Sequence, residues 1–215
     1  RSPVLLFLRL VFSFKLKGSS MTQAHLTSSL SPPSASASDS RIRSLLRQMI
    51  RKEGDGFAPL PRALLAECMH SHDIHLLGAI NSILDMPEHV GTIRPKLEFR
   101  HILSFKMRYC ERCIRDDPKS EWADRRHVAG WEFGRWVLNR FSKKQFQPSD
   151  LITLRQWLTQ FYHKSPPDIR DCITRTLLAD LLRERDIRTV FSDWEKLPLL
   201  RQALQTALAQ KSRFF

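Results

Sequence analysis

The chain has 215 residues, 35 Lys+Arg against 22 Asp+Glu, and a formal net charge of +13. Four cysteines in this length exclude a disulfide scaffold, and no apolar run approaches the roughly 20 residues that span a bilayer. The charge asks for an acidic partner, whether nucleic acid, anionic lipid or an acidic protein face, without choosing among them.

The charge is unevenly placed. Residues 1–52 carry nine basic side chains and one acid, Asp39. Most of the excess therefore lies ahead of the part most able to fold. Residues 1–20 read as an apolar-basic leader: VLLFLRLVFSF at 4–14, then Lys15 and Lys17. Two readings fit it, an interfacial anchor with cations at the headgroups and a non-native leader. Residues 21–57 read as a disordered Ser/Pro-rich arm. A short basic helix over 41–53 interrupts it, with Ile42, Leu45, Leu46, Met49 and Ile50 on one face and Arg41, Arg43, Arg47, Arg51 and Lys52 around the rest.

From 58 to 211 the apolar spacing is helical throughout. Pro61 opens a helix expected over 61–86, and a second is expected over 97–115. Asp117-Pro118 is read as the cap and first turn of a third helix, carrying Trp122 to Phe141. Pro148 and Pro166-Pro167 open two more. A turn near 186–194 and a final Leu/Ala helix end the chain. No stretch alternates as strands do. The expectation is an all-α domain, an irregular bundle of about six helices, behind a disordered basic and Ser-rich N-terminal arm.

Cys110-Glu111-Arg112-Cys113 is the sharpest local motif. Two thiolates at this spacing can share a zinc, but a structural site needs four ligands and no second pair follows. Cys68 and His72, one helical turn apart, would have to complete it. Zinc is therefore carried as a candidate at Cys110 and Cys113, and no other cofactor is expected. His70, His72 and His75 cluster beside Asp73; two histidines at i, i+3 can share a helix face and a metal, but the sequence places no general base or third ligand on that face. No nucleophile elbow, phosphate loop or metalloprotease motif occurs, so the chain is read as a non-enzyme.

Residues 94–115 hold seven basic residues against Glu98 and Glu111. With the 41–52 cluster they give the candidate surface for nucleic acid or another anionic partner: Arg94, Lys96, Arg100, Lys106 and Arg108. Arg and Lys neutralise phosphates, and nearby aromatics can stack on bases. Trp131, Trp136, Trp157 and Trp194 are the candidate protein-interface anchors. Protein partners are expected first, then RNA, then peripheral membrane contact through the N-terminus. The expected location is cytoplasmic, with the nucleus and membrane surfaces as the other places a basic arm would lead.

Three stretches carry a resemblance: RRHVAGWEFGRWVLNRF (125–141), LITLRQWLTQFYHKSPP (151–167) and KLPLL (196–200). Together they resemble the accessory C proteins of paramyxoviruses, of the morbillivirus type, over about residues 125–200. That resemblance implies a small non-enzymatic viral accessory protein that binds host and viral proteins, antagonises interferon signalling and modulates viral RNA synthesis. The alternatives are a basic helical RNA-binding protein and a zinc-supported adaptor.

Overall fold

The computed structural model describes residues 52–53, 56–57, 60–85, 93–119 and 123–211, with side chains from 62 onward except 63, 64, 67, 68 and 211. All of them belong to one unit, 35–215. The leader, the Ser/Pro-rich arm and Arg41, Arg43, Arg47 and Arg51 lie outside the described residues.

Helices dominate, as the periodicity predicts. Two short strand pairings accompany them. Lys52–Glu53 (β1) pairs antiparallel with Gly56–Phe57 (β2), and Leu60–Pro61 (β3) pairs in parallel with Ile93–Arg94 (β4). Lys52 and Glu53, expected at the end of the basic helix, are thus extended. Glycines 54 and 56 two residues apart disfavour helix and favour reversal at this point.

The single helix expected over 61–86 is two helices. Arg62–Met69 (α1) stops short of Ile74–Asp85 (α2). The cause is local. Asp73 Oδ1 accepts from the His75 backbone N–H at 2.9 Å, and the Asp73 carbonyl accepts the Leu77 N–H at 3.0 Å. Asp73 is an N-cap, and its own N–H donates to Ser71 Oγ. Short polar side chains offer the backbone an alternative to helix, and here they win.

Phe99–Asp116 (α3) ends where Asp117 enters the left-handed region (φ 43°) and its N–H donates to the Cys113 carbonyl. Its carboxylate then accepts the Arg126 N–H at 2.9 Å, which holds the acid well below its usual range. Asp117 therefore closes α3 and steadies the entry to Arg126–Ser142 (α4) from nine residues away. The helix expected to begin at Pro118 begins at Arg126 instead.

Pro148–His163 (α5) starts with proline in its first turn and a reciprocal cap between Gln147 and Asp150. Pro167–Ile173 (α6) likewise begins on proline, then widens into a π-helical turn at Thr174–Leu178 before Ala179–Leu181 (α7). Arg185–Val190 (α8), a 3₁₀ turn at Ser192–Lys196 and Pro198–Lys211 (α9) complete the chain.

One hydrophobic core joins these helices, with Phe105, Cys113, Val137, Leu158, Leu177, Leu181 and Leu204 among its buried members. Two glycines set its closest approach. A Cβ at Gly130 would stand 2.8 Å from Thr176 Cβ, and one at Gly134 would stand 2.9 Å from Asp180 Cβ. Four residues apart, they share one face of α4. That face lies against the π turn and α7; Ala129, Phe133 and Trp136 are buried as well, and Val128, Trp131, Glu132 and Arg135 are exposed.

Candidate functional site

The candidate basic surface divides when the side chains are placed. Arg94, Lys96, Arg100 and Arg108 are exposed, and Arg100 is paired with Glu98 at 2.7 Å. Lys106 is not on this surface. It is 4% exposed, and its ammonium donates to Asp85 Oδ1 at 2.5 Å and to Asn81 Oδ1 at 2.7 Å, with the Trp136 ring 5.6 Å away. Burial pulls its pKa down, and Asp85 opposes that shift. A desolvated, paired lysine cannot meet a phosphate backbone, so Lys106 is a structural cation joining α2 to α3. Its position explains this: 106 falls between Leu103 and Cys110 on the inward stripe of α3.

Beside Lys106, Tyr109 donates its hydroxyl to Asp124 at 3.1 Å and accepts the Asp124 backbone N–H. Burial raises the pKa of both groups, and the Tyr109 hydrogen bond partly offsets this for Asp124. This polar cluster lines a cavity of about 20 Å³, with room for little more than one water. Two of the aromatics of 94–115, Phe105 and Tyr109, are unavailable for stacking on bases, being buried and stacked on one another, and half-buried Phe99 packs on Trp136 and Phe146.

Cys110 and Cys113 are free thiols buried in the core, as is Cys172. Burial pushes Cys110 well above the ordinary thiol value, Cys113 to about 12 and Cys172 to about 11. Metal ligation needs thiolates. Cys110 Sγ instead contacts the Ala129 carbonyl at 3.6 Å. Of the companions considered in sequence, His72 is exposed and the Cys68 side chain lies outside the described residues. Among the described residues no three His, Cys, Asp or Glu side chains are grouped to hold a metal ion.

The four candidate interface tryptophans separate in the same way. Trp194 is 2% exposed, donates to Thr159 Oγ1 at 2.9 Å and packs on Tyr162 and Phe191. Trp136 is buried between Phe99 and Phe133. Trp157 is half-buried, held by Glu111 at 3.1 Å and set edge-on to Phe133. These three anchor the core rather than an interface. Trp131 alone of the four is open, at 47%, with Val128 one turn before it at 40%. His127 lies 6.3 Å from the Trp131 ring. Sequence reasoning did not single out Val128. The GxxxG spacing of Gly130 and Gly134 is the signal that orients α4 and leaves Val128 and Trp131 outward.

A second group, unforeseen from the sequence, sits between α1 and α3. Arg62, His70, His101, Ser104 and Arg108 line a cavity of about 220 Å³. Of these, only Arg108 belonged to the expected basic surface.

No known family pattern, curated protein or solved structure matches this chain. Among the described residues no helix is long and apolar enough to cross a membrane.

Proposed function

We propose that this chain is a non-enzymatic helical interaction protein, a viral accessory factor of the kind its resemblance to paramyxovirus C proteins implies. In this reading it binds host and viral proteins, antagonises interferon signalling and modulates viral RNA synthesis. The observation that carries the binding role is the pair Val128 and Trp131, two large apolar side chains held open on consecutive turns of α4. Exposed tryptophan is the residue type most often found at the energetic centre of an interface. Gly130 and Gly134 seat a neighbouring face of α4 closely against the π turn and α7, so the pair stands on a packed support. Exposed Arg125, Arg135 and His127 border it, and Arg135 is paired with Glu132. The complementary partner surface is an apolar groove with an acidic rim.

An interferon-responsive reporter in cells expressing the full chain tests the reading. Repression by the wild type, lost in Trp131→Glu and Val128→Asp with the helical circular dichroism unchanged, supports it. Absence of repression by the wild type, or repression that survives both substitutions, ends it.

RNA binding is the second reading, favoured by exposed Lys96, Arg100 and Arg108. It predicts affinity that falls steeply with salt and is reduced by reversing Arg100 and Arg108. The burial of Phe105 and Tyr109 counts against base stacking and places this reading second. A zinc-supported adaptor is the third, and its test is metal content of the purified chain with Cys110→Ser and Cys113→Ser as controls.

A further inference from the structure

The cavity between α1 and α3 differs from every other polar cluster described here in its charge balance. Arg62 and Arg108 line it, and among the described residues neither is paired with a carboxylate. Arg62 Nη1 donates to the Lys96 carbonyl at 3.5 Å, and Arg108 Nη2 donates to the Met69 carbonyl. Each guanidinium has five N–H donors, so most remain for a ligand. His101 also lines it. Ser104 adds an exposed hydroxyl one turn before Arg108. His70 and the apolar Ala66, Met69, Leu97 and Phe105 complete the lining. The groove of similar size beside α5 offers a contrast: its one cation, Arg155, is already paired with Asp193 at 2.9 Å.

We propose that this cavity binds a phosphate monoester carried on a phosphorylated side chain of a protein partner. Size limits the ligand. About 220 Å³ lies below the ~300–1,000 Å³ of pockets that enclose drug-sized molecules, so what the cavity encloses is one compact anionic group with the first atoms of its stem. Charge selects the monoester. A phosphorylated side chain carries about −1.5 to −2 at neutral pH and three acceptor oxygens, which answers two guanidinium forks and a hydroxyl. Burial lowers the pKa of Arg108, and a bound anion offsets that desolvation.

Two other phosphate carriers fit less well. Single-stranded RNA needs exposed rings for its bases, and Phe105, the aromatic in this lining, is buried. A membrane lipid needs apolar side chains to enter the bilayer beside its headgroup, and the exposed large apolar residues among those described, Val128, Trp131, Ile152 and Leu197, line no part of this cavity.

The test is fluorescence anisotropy of the full chain. The probes are fluorescein-labelled degenerate peptides with a central phosphoserine or phosphotyrosine, their unphosphorylated counterparts, and a single-stranded RNA. Phosphoinositide vesicles are scored by sedimentation. The expected result is phosphopeptide binding at least about tenfold tighter than the unphosphorylated control, competed by phenyl phosphate, and weakened by a similar factor in Arg108→Gln and Arg62→Gln. Ser104→Asp places a like charge in the cavity from an exposed position and abolishes binding even if an arginine variant folds poorly. Arg100→Gln, on the same helix but paired with Glu98, leaves binding unchanged. Equal binding with and without phosphate, binding confined to RNA or vesicles, or phosphopeptide affinity indifferent to Arg62, Ser104 and Arg108 overturns the proposal. Because Val128 and Trp131 lie elsewhere, failure here leaves the reading of α4 intact.

Discussion

Lys106 and Arg108 stand two residues apart on α3 and do opposite things. Two residues turn an α-helix by roughly 200°, so they occupy opposing sides. Lys106 goes into the core, where Asp85 and Asn81 satisfy its ammonium. Arg108 stays at the edge of a cavity with no carboxylate partner among the described residues. The net charge of a segment therefore says little about its surface. A cation that serves the fold is paired within it; a cation held in place but left electrostatically unanswered is the one available to a ligand.

The largest expected effect separates the two by stability. Lys106→Ala removes the buried stem and both hydrogen bonds and lowers stability by about 3 kcal/mol, whereas Arg108→Ala changes it by no more than about 1 kcal/mol. Urea denaturation measures both, and equal losses would erase the distinction. Lys106→Met keeps the stem without the charge and restores most of the stability, since half-exposed Asp85 can be rehydrated.

Alkaline pH probes the packed side of α3. Cys110 and Cys113 have pKa values raised above the thiol value of the unfolded chain, Cys113 to about 12. Between about 8.5, the unfolded thiol value, and those folded values the native state retains protons that the unfolded state has lost, so their contribution to stability declines as pH rises. Denaturation midpoints at pH 8 and pH 10.5 should show the loss, and Cys113→Ala should reduce it. At pH 8 iodoacetamide should modify Cys110, Cys113 and Cys172 only after urea is added; modification of the native chain, located by mass spectrometry, would mean that the core opens.

Smaller effects come from the ion pairs. Asp85→Asn keeps an acceptor but removes the charge facing Lys106, at a cost of about 1–2 kcal/mol. Breaking the surface pair with Arg100→Gln costs at most about 0.5 kcal/mol. If the two losses are alike in urea, solvent reaches Lys106 more freely than its burial implies.

Much of the fold was legible because proline, apolar spacing and capping act locally. Pro148 and Pro167 open helices where expected, and the 3.6-residue stripe places α3, α5 and α9. The errors came where a short side chain reached the backbone. Asp73 capped a new helix inside the expected one, and Asp117 held the start of α4 from nine residues upstream. Of the sites, Lys106 could have been recognised as inward from its place between Leu103 and Cys110. The burial of Trp136 and Trp194 could not, because a tryptophan stripe looks alike whether a neighbouring helix or a partner covers it.

The sequence by itself determined an all-α chain with its charge concentrated ahead of residue 53, since composition and helical periodicity are properties of neighbouring residues. Only the tertiary structure decided which cations are spent inside the fold, that Trp131 rather than Trp136, Trp157 or Trp194 faces outward, and that Arg62 joins His101 and Arg108 around one cavity. These facts depend on which helix covers which face. Packing between segments more than 20 residues apart sets that, and no local pattern encodes it.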